Sequence, residues 1–135
     1  MALQYSVAVR NAQLDAVEST TGTAAILRIY SGAVPANCAA AASGTLLAEM
    51  TLPSDWMAAA SSGSKALSGT WQDASANATG TAGHFRLLDS GGTTCHAQGT
   101  VTATGGGGDL TLDNTSIASG QSVTITSFTI TAGNA

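Results

Sequence analysis

Residues 99–114, GTVTATGGGGDLTLDN, decide between two kinds of protein. Four consecutive glycines between apolar runs can cradle a phosphate, or they can join two strands. A phosphate loop leads from a strand into a helix, with Lys and Ser or Thr close behind the glycines. Here Leu110 and Leu112 alternate with Asp109, Thr111 and Asp113 straight after the glycines, and no lysine follows Lys65. Period-two alternation is strand patterning, so the glycines read as a connection between strands.

The same pattern extends outward. Cys95, Ala97, Gly99, Val101 and Ala103 share one face, and His96, Gln98, Thr100, Thr102 and Thr104 share the other. Before them, Phe85 and Leu87 point one way in HFRLL, and the glycines of DSGGT suit a hairpin turn. Pairing Leu88 with Thr94 across that turn sets His96 opposite Arg86 and His84 opposite Gln98. In the last run, SVTITSFTITAG, Val123 and Ile125 have one parity and Phe128 and Ile130 the other. A β-bulge near Thr126 and Ser127 would bring both pairs to one face.

Toward the N-terminus the period changes. Leu3, Val7, Leu14 and Val17 fall close to one helical stripe, with Gly22 as a stop, although Tyr5, Val7 and Val9 also alternate as a strand would. TAAILRIYSG reads as a strand covered on both sides, with Ala25, Leu27 and Ile29 on one face and Ile26, Arg28 and Tyr30 on the other. AVPANCAAAASG reads as a loop of small residues, and TLLAEMTL as a second strand closed by Pro53. Ser54 could cap one helical turn. Residues 65–83 read as one or two weak strands among wide loops.

The expected fold is mainly β: an antiparallel β-sandwich, jelly-roll-like, in one domain over residues 1–135. Its N-terminal helical segment covers 1–22, and strands and loops cover 23–135. Ser, Thr and Gly supply 50 of the 135 residues, yet 44% of the chain is hydrophobic, which favours a folded β domain over a disordered tract. Charge is sparse, at 9% with a net −4, and Arg10, Arg28, Lys65 and Arg86 are scattered. A nucleic-acid groove needs clustered cations, so no nucleic-acid partner is expected. Nor is a membrane, since no apolar stretch approaches the roughly 20 residues that span a bilayer. Without a signal-peptide pattern, synthesis in the cytoplasm is the default, and Cys38 and Cys95 are expected as free thiols.

The constellations that could carry chemistry are thin. Asp109 and Asp113 would lie about 13 Å apart along a strand, beyond the span of a glycosidase pair. His84 and His96 lack further ligands for zinc, and Cys95 points inward as a core thiol. No serine sits in a nucleophile elbow. No enzyme activity, cofactor or metal is therefore expected. Tyr30, Trp56, Trp71, His84, Arg86 and His96 are the candidate interface residues: aromatics that can anchor a contact or a sugar, and polar groups for a contact patch.

The stretches GTAGHFRLLDSGGTTCHAQGTV and GGGGDLTLDNTSIASGQSVTITSFTITAGNA, preceded by NAQLDAV and LRIYSGAVPA, resemble small structural proteins of tailed bacteriophages and prophages. The resemblance covers most of the chain and is loosest across residues 37–82. It implies a virion component made in the host bacterial cytoplasm, foremost a head decoration (cement) protein on the major capsid protein lattice. The alternative is a tail component or a tail-tip receptor- or carbohydrate-binding module. The implied partners are the major capsid protein or other virion proteins, with self-association as a dimer or trimer. No catalytic or binding position carries over. Thr-rich edges with little charge, and extended termini, suit strand addition to a partner.

Overall fold

A computed structural model describes residues 3–133. Helix α1 spans Val7–Thr21. Ser6 caps it in extended conformation, its hydroxyl accepting from the Val9 amide at 3.3 Å. Gly22 ends it at φ +94°, its amide donating to the Glu18 carbonyl at 2.9 Å. Of the expected stripe, Leu14 is buried and Val17 packs against the core, whereas Leu3 and Val7 stay exposed.

The main sheet is built from β1 (Ile26–Ser31), β2 (Leu46–Thr51), β5 (Gly80–Leu88), β6 (Cys95–Ala103) and β7 (Leu110–Leu112), in the order β2-β1-β5-β6-β7. Short β8 (Ser116–Ile117) pairs with the start of β5. Two antiparallel ribbons complete the β structure: β3 (Ser64–Ala66) with β10 (Thr129–Thr131), and β4 (Trp71–Asp73) with β9 (Val123–Ile125). The protein is thus mainly β and sandwich-like with one N-terminal helix, its second layer made of short ribbons. The apolar parity read from the sequence holds: Leu27, Ile29, Phe85, Leu87, Val101, Leu110 and Leu112 are all buried in one core.

The glycine run does join strands, but not as a hairpin. β7 lies parallel to β6, with Val101 opposite Leu110 and Ala103 opposite Leu112. Parallel neighbours ordinarily need a crossover of a dozen or more residues. Residues 104–109 manage it by reversing and running back alongside β6. The Gly106 amide closes the first turn on the Ala103 carbonyl, and the Gly108 amide donates to the Thr102 hydroxyl at 3.0 Å. Asp109 then accepts from the Thr100 amide and hydroxyl, at 3.0 and 3.1 Å, before the chain turns into β7. A Cβ on Gly108 would lie 2.8 Å from the Thr102 hydroxyl and 2.9 Å from its amide, so only glycine lets the chain approach this closely.

Three local expectations are corrected. Leu88 pairs with Cys95 rather than Thr94, and a register slip between Leu87 and Leu88 sets Arg86 opposite Gln98 and His84 opposite Thr100. The parity change after Ile125 is a break, not a bulge: the chain leaves β4 after β9 and rejoins the structure on β3 as β10. Residues 54 and 55 form a bend, so Ser54 caps no helical turn.

Candidate interaction site

The two faces of the main sheet use the candidate residues differently. On the inner face, Trp56 and Trp71 are fully buried, with ring centroids 5.9 Å apart. Trp71 continues to Phe128 at 5.5 Å, and Phe128 meets Phe85 edge-on at 5.7 Å. Each indole nitrogen is used internally: Trp56 donates to the Gly22 carbonyl at 2.9 Å, and Trp71 to the Trp56 carbonyl at 3.1 Å. These rings are core anchors and present no surface to a sugar or a partner.

On the outer face, β1 and β5 place Tyr30 opposite His84 and Arg28 opposite Arg86. Tyr30 and His84 stack at 5.1 Å with ring planes 9° apart. This face is polar, yet His84 is 0% and Arg86 6% exposed. Residues 32–44 cover it as a strap, bound almost wholly through main-chain carbonyls. The ring nitrogen Nδ1 of His84 lies 3.1 Å from the Gly32 carbonyl. Arg86 Nη2 donates to the carbonyls of Asn37 and Ala40, at 3.1 and 2.6 Å, and to the Gln98 side chain at 3.0 Å. Gln98 in turn donates to the Pro35 carbonyl at 2.6 Å. The start of the strap lies flat on β5 because residue 83 of that strand is glycine: a Cβ on Gly83 would stand 2.1 Å from the Gly32 carbonyl oxygen.

A disulfide between Cys38 and Cys95, with Cα atoms 5.3 Å apart, staples the strap to β6. The free, inward-facing thiols expected from the sequence are thereby overturned. The physical reason is the slip at Leu88, which turns Cys95 toward the face of its partner Leu88 and hence toward the strap. Of the six candidate interface residues, Tyr30, Trp56, Trp71, His84 and Arg86 are buried within the chain, and only His96 is exposed. Aromatic and cationic character marked where the structure is held, not where it is offered.

A second polar assembly went unnoticed in the sequence. Asn11, Asp15 and Glu18 recur at helical spacing beside Leu14, and this face of α1 docks on residues 57–65 through hydrogen bonds. Asn11 accepts from the Gly63 amide at 2.8 Å, Asp15 from the Ala60 amide at 3.1 Å, and Glu18 from the Met57 amide at 3.0 Å. Lys65, 2% exposed, closes the dock with ion pairs to Asp15 at 2.8 Å and Glu18 at 3.0 Å. The recurring Asn, Asp and Glu on one helix face, in a chain with a single lysine, Lys65, was the available signal.

That dock titrates at both ends of the pH scale. Hydrogen bonds from Lys65 and the Ala60 amide hold Asp15 below the usual carboxylate range. Burial works to lower the Lys65 ammonium, but Asp15 and Glu18 outweigh it and the net shift is upward. A lowered carboxylate contributes stability above its unfolded value, about 3.9, and loses it as pH falls through the folded value. A raised ammonium contributes fully below about 10.4 and loses it as pH rises through the folded value. Protection of the Val7–Thr21 amides, taken relative to their intrinsic exchange rate at each pH, should stay high between these limits and fall beyond both. Protection that stays equally high down to about pH 2 and up to about pH 12 would contradict the ion-paired dock.

Among the described residues no cluster of three or more His, Cys, Asp or Glu side chains could hold a metal ion, and no helix is long and apolar enough to cross a membrane. A cleft of about 540 Å³ opens beside α1, but its Asp15, Glu18 and Lys65 are bound to one another. A groove of about 460 Å³ runs between β6 and β10 over Phe85 and Phe128. All four basic residues have internal acceptors: Arg10 the Ser62 carbonyl, Arg28 the Glu49 carboxylate, Lys65 its two acids, and Arg86 the strap. No family model, curated protein or solved structure matches the chain.

Proposed function

We propose that this chain is a non-enzymatic virion structural protein, foremost a head decoration protein that binds and stabilises the major capsid protein lattice. The observation that carries the reading is the internal use of every cation. With the basic side chains held by internal acceptors, the outer surface left for a partner offers no basic cluster, only scattered carboxylates such as Asp55, Asp109 and Asp113, and is otherwise rich in hydroxyl and methyl groups. Such a surface suits close, repeated protein contacts, where many weak contacts act together at high effective concentration. It does not suit phosphate or an acidic ligand. The Cys38–Cys95 staple adds support, because disulfides persist on virion surfaces and are rare in proteins that remain in the cytosol. The resemblance to tailed-phage structural proteins points the same way.

A tail component remains the second reading. Its carbohydrate-binding form loses Trp56 and Trp71 as a sugar platform, since both rings are buried. A density map of purified particles separates the alternatives. Ordered copies on the head shell are the expected result, copies on the tail would select the tail component, and absence from washed particles would overturn both.

A further inference from the structure

We infer that the strap, residues 32–44, is a redox-latched cover over a carboxylate-binding site centred on Arg86, opened when the Cys38–Cys95 bridge is reduced. The outer face of the sheet carries a row of polar side chains in register: Glu49, Arg28, Arg86 and Gln98, on β2, β1, β5 and β6. Like charges directly opposite one another are destabilising. Arg28 is relieved by its ion pair with Glu49, whereas none of the ion pairs among the described residues includes Arg86. A buried charge is ordinarily paired with an opposite one. Arg86 instead meets neutral acceptors, and all three, the Asn37 and Ala40 carbonyls and the Gln98 side chain, crowd on Nη2. Nη2 has only two protons for them. Its neighbour Nε is buried with no hydrogen-bond partner, as is Nε2 of His84 on the same face of β5. Nε and Nη2 form one edge of the guanidinium, and a carboxylate grips such an edge with two parallel hydrogen bonds. The strap thus occupies one prong of a carboxylate fork and leaves the other unused.

The strap is built to lift as a unit. Its ends are tied together beneath it: the Ser31 amide donates to the Thr45 carbonyl at 3.0 Å, and the Thr45 amide to the Ser31 hydroxyl at 2.9 Å. Gly32 and Gly44, at φ +83° and +73°, supply a hinge at each end. None of residues 32–44 is buried, so no side chain of the strap is anchored in the core. Compact loops with joined ends are frequently functional. The bridge is left as the latch, and both cysteines are half-buried, within reach of a small thiol. The thiolate of a dithiol reductant attacks one sulfur of the bridge to form a mixed disulfide. Its second sulfur then displaces the cysteine from that mixed disulfide. The dithiol leaves oxidised, and its two protons pass to Cys38 and Cys95 as thiols. The occupant of the opened site is an acidic segment of a partner protein, which supplies the carboxylate that the row lacks.

The inference is independent of the virion reading, and no capsid enters its test. The probe is a fluorescently labelled tetraglutamate peptide, with tetraglutamine as its control, titrated by anisotropy into the full chain with and without dithiothreitol. The reduced protein should bind tetraglutamate at least about tenfold tighter than the oxidised protein, and neither form should bind tetraglutamine. The chain has three arginines, Arg10, Arg28 and Arg86, and only the Arg86 Nε–H resonance should shift strongly with peptide, in the reduced state alone. The variant Cys38→Ser/Cys95→Ser should bind without reductant. Adding Arg86→Gln to it should abolish binding while circular dichroism shows the fold retained; if that substitution unfolds the chain, the Arg86 resonance decides. Equal affinity in both redox states, an unmoved Arg86 resonance, or binding that survives Arg86→Gln would overturn the inference. So would a reduced chain that unfolds outright, because the strap must lift alone.

Discussion

Replacing Cys38 and Cys95 together with serine is expected to cost about 4 kcal/mol of unfolding free energy, the loop-closure value for a cross-link of this span. The bridge joins residues 57 apart in sequence, and it cross-links the middle of the strap to β6. For a domain of this size the loss corresponds to a fall in thermal midpoint on the order of 15 °C. It should not be spread evenly. The strap's remaining hold is a set of main-chain carbonyls on Arg86, Gln98 and His84, and it covers the buried His84 and Arg86 and the half-buried Gln98. Once the strap lifts, water can solvate the guanidinium directly, so the amides of residues 32–44 should exchange fastest. An unchanged midpoint on reduction, with the strap still protected, would show that the carbonyl contacts suffice alone.

Trp71→Ala is expected to destabilise the protein by about 3–5 kcal/mol, the range for removing a large buried aromatic. Trp71 stands between Trp56 and Phe128 in the aromatic chain that ties β4 to the loop before β10. Its indole nitrogen also serves the carbonyls of Trp56 and Ser68, at 3.1 and 3.2 Å. Trp71→Phe should recover part of the packing but leave those carbonyls without their donor, and so fall between the two. Chemical denaturation of the three proteins measures the series. A cost below about 1 kcal/mol for the alanine variant would place the ring at the surface and reopen its use as a binding platform.

What the sequence revealed followed from side-chain patterning. The alternation of β6 and β7, the helix over Val7–Thr21 and the strands after Gly22 and Gly44 were all legible. In each case a periodic apolar face must be hidden, and periodicity is visible in one dimension. The strap was not legible because its work is done by carbonyl oxygens, which every residue has; AVPANCAAAASG could bind as it does with almost no side chains. The disulfide was missed because a compartment rule was applied to a geometric question, and a one-residue slip at Leu88 decided which way Cys95 faces. The parallel pairing of β6 and β7 was missed because connection length argues against it, and only the glycine–Thr102 contact overrides that rule. The candidate interface failed for a general reason: Trp, Tyr, His and Arg are enriched both in partner contacts and in satisfied cores, and sequence alone does not separate the two.

The most direct test of the account is sedimentation of the purified, oxidised protein with empty coat-protein shells, at low salt and again near 1 M salt. Contacts made by neutral strands and hydroxyl groups should survive, because salt at that concentration screens charge attraction beyond about 3 Å and leaves hydrogen bonding and apolar burial in place. The account predicts saturable binding that is nearly the same at both salt levels. Failure to bind, or binding lost at high salt, would contradict it.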